Sequence, residues 1–258
     1  MKKLKDFVRS WGSVILIVLL IRAFIIEAFN VPTGSMEDTI LPGDFVLVNK
    51  FIYGFKIPFT TRDLIPGRKP KRGEIVIFRY PVDPETPKPE ERFIRFFPKW
   101  LPLLPIYWDK EKKFFHWYAP RNFVKRCIAV EGDTVEIINK RVYVNRKPLY
   151  EPYAMHKDPY IIPRREDTLG FEKRWLNREF INNMEIRDNF GPVVVPEGHI
   201  FVMGDNRDFS HDSRYWGPVP LRFVKGSPLV IYFSLGQGGN ILERILHIQW
   251  GRIGRVIR

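Results

Sequence analysis

The chain carries a single cysteine, Cys127, so no disulfide can form within it. That cysteine lies in the apolar run FVKRCIAV, where a thiol reads as buried and inert. His116, His156, His199, His211 and His247 are scattered, and neither an HExxH motif nor paired cysteines accompany them. The usual hydrolytic and structural metal sites are thereby set aside, and no metal or cofactor is expected. Nucleotide binding has neither a P-loop nor a GxGxxG to rest on. Acidic residues are in deficit, 29 against 42 Lys and Arg, for a net charge of +13. Such a surface suits anionic partners, either nucleic acid or acidic lipid. No RNP-like or helix-turn-helix pattern supports nucleic acid, which is not expected as a partner. There is no internal repeat, and there is only one long apolar run.

That run is WGSVILIVLLIRAFIIEAF, residues 11–29. As a helix it measures about 28 Å, enough to cross a hydrocarbon core. Arg22 and Glu27 interrupt it near the far end, where they can snorkel toward head groups. Residues 1–10 carry Lys2, Lys3, Lys5 and Arg9 against Asp6 alone, which predicts a cytoplasmic N-terminus and an extracytoplasmic chain beyond residue 30. A cleaved leader would need small residues at its exit, and EAFNVPTG offers Phe and Asn there. A buried soluble helix fits poorly with a stretch from Val14 to Ile21 that is apolar all round. The expectation is an uncleaved, single-pass transmembrane helix.

Past residue 40 the pattern turns strand-like. FVLVNKF, EIVIFRY, VKRCIAV, TVEII, RVYVN, PVVVP, HIFVM and LVIYF are short β-branched or aromatic runs, separated by the turn signals PGD, RGE, EGD, NRKP, PEG and GDN. A mostly β body with an antiparallel core follows. Residues 82–121 break the rhythm, Pro-rich at first and then aromatic and basic. Their rings suit either a membrane interface or packing over the core. The terminal GNILERILHIQWGRIGRVIR reads as a short helix or a hairpin, with the β-branched ends favouring the hairpin.

Two positions stand out chemically. Serine becomes a nucleophile only if something takes its proton, and a lysine can do so only when desolvated enough to be neutral. Lys125 alternates with Phe123 and Cys127 on one strand face, in an apolar setting. Ser35 lies in VPTGSMED, directly after the apolar run, with Gly34 permitting an unusual backbone beside it. Its own N–H and the Thr33 hydroxyl could cradle an oxyanion. The same residues also read as a helix N-cap, with Ser35 before an acidic first turn. In MGDNRDFSHDSRYWGPVP, residues 203–220, Asp212 and Arg214 read as a buried structural pair, and Ser210 as a partner for a neutral lysine. A Ser-His-Asp triad through His211 and Asp212 is disfavoured, because neighbours in an extended strand face opposite ways.

Taken in order, PTGSM with GDFVLVNKFIYG (32–54), KRGEIVIFRYP (71–81), FVKRCIAVEGDTV (123–135) and GDNRDFSHDSRYWGPVP (204–220) resemble the bacterial type I signal peptidase family, the Ser–Lys membrane proteases. IQWGRIGRVI at the end is a weaker match. The blocks cover roughly a third of the chain. The resemblance implies Ser35 as nucleophile, Lys125 as general base, and an oxyanion hole from the Ser35 N–H and Thr33 hydroxyl. It implies Ser210 as the serine that orients the lysine, with Asp212 and Arg214 in support. Phe29, Val31, Met36, Ile40, Phe123 and Val124 would line shallow pockets for small P1 and P3 side chains. Residues 30–135 and 198–258 would form the catalytic β core, with 82–121 as an insertion and 136–197 as a β-rich accessory domain.

The implied activity is cleavage of preprotein signal peptides after Ala-x-Ala-type sites, at the outer face of the bacterial cytoplasmic membrane. Membrane phospholipids and the secretion translocon would be neighbours there. The chain departs from the family pattern in three places. Asp38 replaces a turn-setting proline in MEDTI, Phe209 stands where Asn is usual, and Asn122 precedes Phe123 where an acid is frequent. A cytosolic self-cleaving repressor-type peptidase would lack the apolar leader. A membrane-tethered binding module would not need the full Ser–Lys set.

Overall fold

The computed structural model describes residues 11–12, 14, 26–56, 63–81, 93–95, 106–109, 113–117, 121–236 and 241–257. Its strands are β1 (Ile26–Asn30), β2 (Asp44–Asn49), β3 (Gly54–Lys56), β4 (Asp63–Pro66), β5 (Ile75–Arg79), β6 (Phe93–Arg95), β7 (Ile106–Asp109) and β8 (Phe114–Trp117). They continue as β9 (Asn122–Val130), β10 (Thr134–Ile138), β11 (Arg141–Val144), β12 (Lys147–Pro148), β13 (Phe190–Val194), β14 (His199–Met203), β15 (Val219–Pro220) and β16 (Val224–Ser234). All the named strand pairs are antiparallel. The mostly β expectation therefore holds.

The principal sheet runs β1-β2-β16-β5-β9-β14-β15, and a second sheet runs β12-β11-β10-β13. Strand alternation divides the interior. On β5, Val76 and Phe78 enter one apolar cluster while Ile75 and Ile77 enter another, so the principal sheet has a core on each face. The larger cluster adds Cys127, Ile128, Phe201 and Trp216, and joins the second sheet through Val135, Ile137, Val142 and Phe190. The short helix Phe171–Leu176 closes it with Phe171 and Trp175. The smaller cluster gathers Val31, Met36, Ile40, Val46, Val48 and Ile231. Long β16 lies between β2 and β5, pairing with β2 over residues 227–234 and with β5 over 224–226, with register shifts in both ladders.

Two expectations are corrected. The helix foreseen through Phe29 does not reach it: Ile26–Asn30 is strand β1, paired with β2 from Ile26 against Asn49 to Asn30 against Phe45. Glu27 and Phe29 are the half-buried positions of an alternating segment, and Lys50 Nζ meets Glu27 at 3.1 Å. Trp11, Gly12 and Val14 are helical, and the rest of that span to residue 25 lies outside the described residues. Among the described residues no helix is long and apolar enough to cross a membrane. The C-terminal hairpin is likewise replaced by the helix Ile241–Leu246 and a 3-10 turn at Trp250–Arg252. Leu, Glu and Arg dominate that helix, and all are good helix formers. Only the last residues turn strand-like, where Val256 bridges Val230 of β16. From residues 82–121, three strands form the small sheet β6-β7-β8.

Asp44 ties this terminus to the start of β2. Fully buried, its carboxylate accepts from Leu41 N–H (2.8 Å), Ser234 Oγ (2.7 Å) and the Arg252 guanidinium (2.6 and 3.1 Å). Removing one partner of a buried ion pair leaves the other unmatched. Asp44→Ala is expected to destabilise the full chain by about 3–5 kcal/mol in urea unfolding. A loss below 1 kcal/mol would show that Arg252 and the other donors find replacements.

Candidate active site

Residues Val31 to Ile40 leave β1 and fold into a compact turn, with Glu37 N–H donating to Gly34 O and Ile40 N–H to Met36 O. Met36 and Ile40 are fully buried in the smaller cluster and hold that turn by its apolar side. No helix starts at Ser35, so the capping role does not arise. A Cβ at Gly34 would displace the Glu37 carboxylate, which it would meet at 2.4 Å. The turn is fastened from across the fold by Asn206. Its N–H donates to Ser35 O at 3.2 Å, and its side-chain amide to Gly34 O at 3.1 Å.

Lys125 reaches this turn from β9. Ser35 is 8% exposed and Lys125 4%, and Lys125 Nζ donates to Ser35 Oγ. Burial drives the amine's pKa down from its ordinary value to about 8. Asp212 and Asp205 push it back up in part, and Arg214 pushes it down. Both carboxylates are committed elsewhere. Asp212 takes Arg214 Nε at 2.8 Å and the terminal nitrogen at 2.9 Å; Asp205 takes Arg126 at 2.8 and 2.7 Å. Burial alone would raise the Asp212 carboxyl, but the Arg214 guanidinium outweighs it and holds the pKa below the usual range.

Ser210 belongs to the Asp212 side of this network. Its hydroxyl accepts from Gly204 N–H at 3.1 Å and donates to Asp212. Arg214 goes on to donate to the carbonyls of Arg187 and Arg207, both at 2.7 Å, which ties the segment just before β13 to the loop. His211 is exposed, stacks on Tyr215 and points its Nε2 to Ile181 O, so it forms no triad with Ser35. Of the residues expected to line the pockets, Phe29, Val31, Met36, Ile40 and Val124 gather at the smaller cluster. Phe123 lies on the other face, against the larger cluster and the Tyr80 ring at 4.3 Å. Thr33 is exposed two residues before Ser35. Cys127 is buried, and its thiol is pushed up to about 12 by burial.

The roles of Arg126, Asp205, Asn206 and Gly204 were not foreseen. Arg126 pairs with Asp205 on the sheet face opposite Lys125, stacks 3.8 Å over the Tyr153 ring, and reaches the Ser35 turn because Thr39 Oγ1 donates to Asp205 at 2.7 Å. A charged side chain beside Lys125 in an apolar strand was the available signal. Its partner, far along the chain, was not.

A serine hydroxyl hydrogen-bonded to a buried, charge-starved lysine on an antiparallel sheet defines the class of serine–lysine hydrolases. The chain matches the family model described as signal peptidase, peptidase S26, over residues 4–233, and it belongs to that family of serine endopeptidases. Signal peptidase I of Pseudomonas aeruginosa is 31% identical over 244 residues, covering 90% of this chain and 73% of that protein. The Haemophilus influenzae enzyme of the same name is 30% identical over 270 residues, covering 91% and 71%. That of Aquifex aeolicus is 31% identical over 231 residues, covering 86% and 81%. A crystal structure of a signal peptidase I from Enterococcus faecalis aligns over 62% of this chain and 97% of its own, at 24% identity and a TM-score of 0.32.

A side chain at Gly204 would collide with both halves of the site, its Cβ lying 2.3 Å from Ser210 Oγ and 2.4 Å from Ser35 O. Gly204→Ala is therefore expected to lower stability by about 1–3 kcal/mol and to cut peptidase activity. Thermal unfolding and cleavage assays on the same preparation check this, and wild-type values in both would show that the contact is not tight.

Proposed function

We propose that this chain removes N-terminal signal peptides from exported preproteins, cleaving after small residues in Ala-x-Ala-type sites. The observation that carries the reading is the hydrogen bond between Ser35 Oγ and a Lys125 amine whose pKa burial brings to about 8. Neutral Nζ takes the Oγ proton as Oγ bonds to the scissile carbonyl carbon, and the carbonyl electron pair moves to oxygen. Collapse expels the amine of the mature chain, which takes the proton back from Lys125. Water then loses a proton to Lys125 and adds to the acyl carbon, and collapse releases Ser35, whose Oγ takes that proton back from Lys125. The Ser35 N–H has no protein acceptor among the described residues, which supports its use, with the Thr33 hydroxyl, as the oxyanion hole.

The leader binds as an added strand along β1, the end strand of the principal sheet. Its P1 and P3 side chains enter shallow apolar pockets bounded by Phe29, Val31, Met36, Ile40 and Val124, the residues that gather at the smaller cluster. Residues 30–135 and 198–258 carry the chemistry. Residues 136–197 form an accessory unit bracing the catalytic loop, which Arg187 O and Lys140, bonded to Asp208 at 2.8 Å, support. Ser210, Asp212 and Arg214 position the lysine and hold its surroundings. The apolar run from residue 11 anchors the enzyme in the bacterial cytoplasmic membrane, with its catalytic part on the outer face near phospholipid head groups and the translocon. Sharing a surface with the substrate raises the effective concentration of each for the other.

Ser35→Ala and Lys125→Met are each expected to lower preprotein cleavage by more than about a thousandfold, with circular dichroism unchanged. Turnover near wild type by either variant would refute the dyad. Lys125→Met also relieves an unfavourable burial, so its unfolding midpoint at neutral pH is expected above the wild type's. Because the folded amine releases its proton near pH 8, kcat/KM should rise with pH through about 8 as the neutral form accumulates. A profile already flat from pH 6 upward would exclude a lysine base.

A further inference from the structure

From Phe201 to Trp216 the loop beside the reactive pair is inverted relative to an ordinary surface loop. Asp205, Asn206, Arg207, Asp208, Asp212 and Arg214 are all buried, and only Phe209 and His211 are exposed. His211 is accounted for by its stack on Tyr215 and its bond to Ile181 O. Phe209 has no such partner. It is 66% exposed, belongs to neither apolar cluster, and makes no aromatic ring contact among the described residues. A lone exposed ring is ordinary on most surfaces. Here it sits one residue before Ser210, and its backbone N–H donates to Asn206 O at 3.3 Å. Asn206 is the residue whose own N–H holds Ser35 O. Two successive hydrogen bonds thus lead from the exposed ring to the nucleophile.

The side of the scissile bond follows from the two cores. The residues read as leader pockets, Phe29, Val31, Met36, Ile40 and Val124, gather at the smaller cluster. The loop carrying Phe209 is rooted by Tyr215 and Trp216 in the larger one, across the sheet. A peptide whose leader lies along β1 has its reacting carbonyl at Ser35, and the chain beyond that carbonyl continues away from β1. We propose that Phe209 is a specificity-determining residue for the mature side of the substrate, covering an apolar side chain within the first three residues after the cleaved bond. The inference rests on the signal-peptide reading of the site. It requires no rearrangement of the dyad, because Phe209 contributes contact and no chemistry. An aromatic face gives directional preference through apolar contact, which an amide in its place would not.

The full chain in detergent is tested on preproteins identical through the Ala-x-Ala site, with Leu or Gly placed in turn at each of the first three positions after it. Wild type should favour Leu over Gly at one of these positions by about five- to tenfold in kcat/KM. Phe209→Ala should bring that ratio near one, while Phe209→Leu should keep most of it. The proposal is overturned if wild type shows no such preference, if the preference survives in Phe209→Ala, or if that variant slows every substrate by one common factor, as a structural role would. Should wild type cleave none of the preproteins, the signal-peptide reading fails first and this inference with it. Cleavage without preference removes this inference alone.

Discussion

The site depends on keeping one ammonium group where charge is unwelcome. Lys125 is buried on β9, and the fold denies it a carboxylate of its own. Two aspartates are near enough to favour its charged form, and each is held by an arginine: Asp212 by Arg214 and Asp205 by Arg126. Were either aspartate free, its attraction would raise the lysine toward its ordinary value and shrink the neutral fraction at any given pH. The cost of the arrangement is on the order of 3 kcal/mol, the free-energy equivalent of moving the amine from its ordinary value to about 8. The sign is fixed by which state holds the proton. Below pH 8 folded and unfolded lysine are both charged and the penalty is borne in full; above it the folded amine is neutral and the penalty fades toward the unfolded value.

The two ion pairs also organise space, one on each face of the principal sheet. Lys125 faces the larger core while Arg126 faces the smaller, by strand alternation alone. Arg214 reaches back to the carbonyls of Arg187 and Arg207, which fixes the loop to the segment just before β13. Arg126 and Asp205 reach forward through Thr39 to the far end of the Ser35 turn. Gly204 lies between the two, against Ser35 on one side and Ser210 on the other. A residue with no side chain is what lets the Ser210 hydroxyl and the Ser35 turn, from distant parts of the chain, pack against the same backbone position.

Much of this was legible in the sequence, for identifiable reasons. Strands such as EIVIFRY and HIFVM announce themselves through β-branched runs between turn signals, and each became a strand. Ser35 and Lys125 stood out because each is a polar residue set against an apolar context. Periodicity could not locate β1: IEAFN continues an apolar run, and nothing local marks where that run becomes an edge strand. The C-terminal segment misled for the opposite reason, since β-branched ends drew attention from the helix formers between them. Asp205 as the partner of Arg126 was invisible, because pairing across distant segments is set by sheet order, which strand patterns leave open.

Chain geometry gives β1 a consequence beyond its place in the sheet. Five residues of extended chain span about 17 Å, and the compact turn after them ends on buried Met36 and Ile40. Ser35 is therefore held within a short, fixed reach of the apolar run that precedes β1. A flexible linker in the same place would let Ser35 wander and would offer no edge for pairing. Making the connection itself a strand does both tasks at once: it docks the serine against the core, and it leaves one row of backbone donors and acceptors for an extended peptide. The position of a small polar turn just beyond a long apolar segment then follows from mechanics. Residues 26–40 set Ser35 close behind that segment, rigid relative to Lys125 and beside an end strand of the principal sheet.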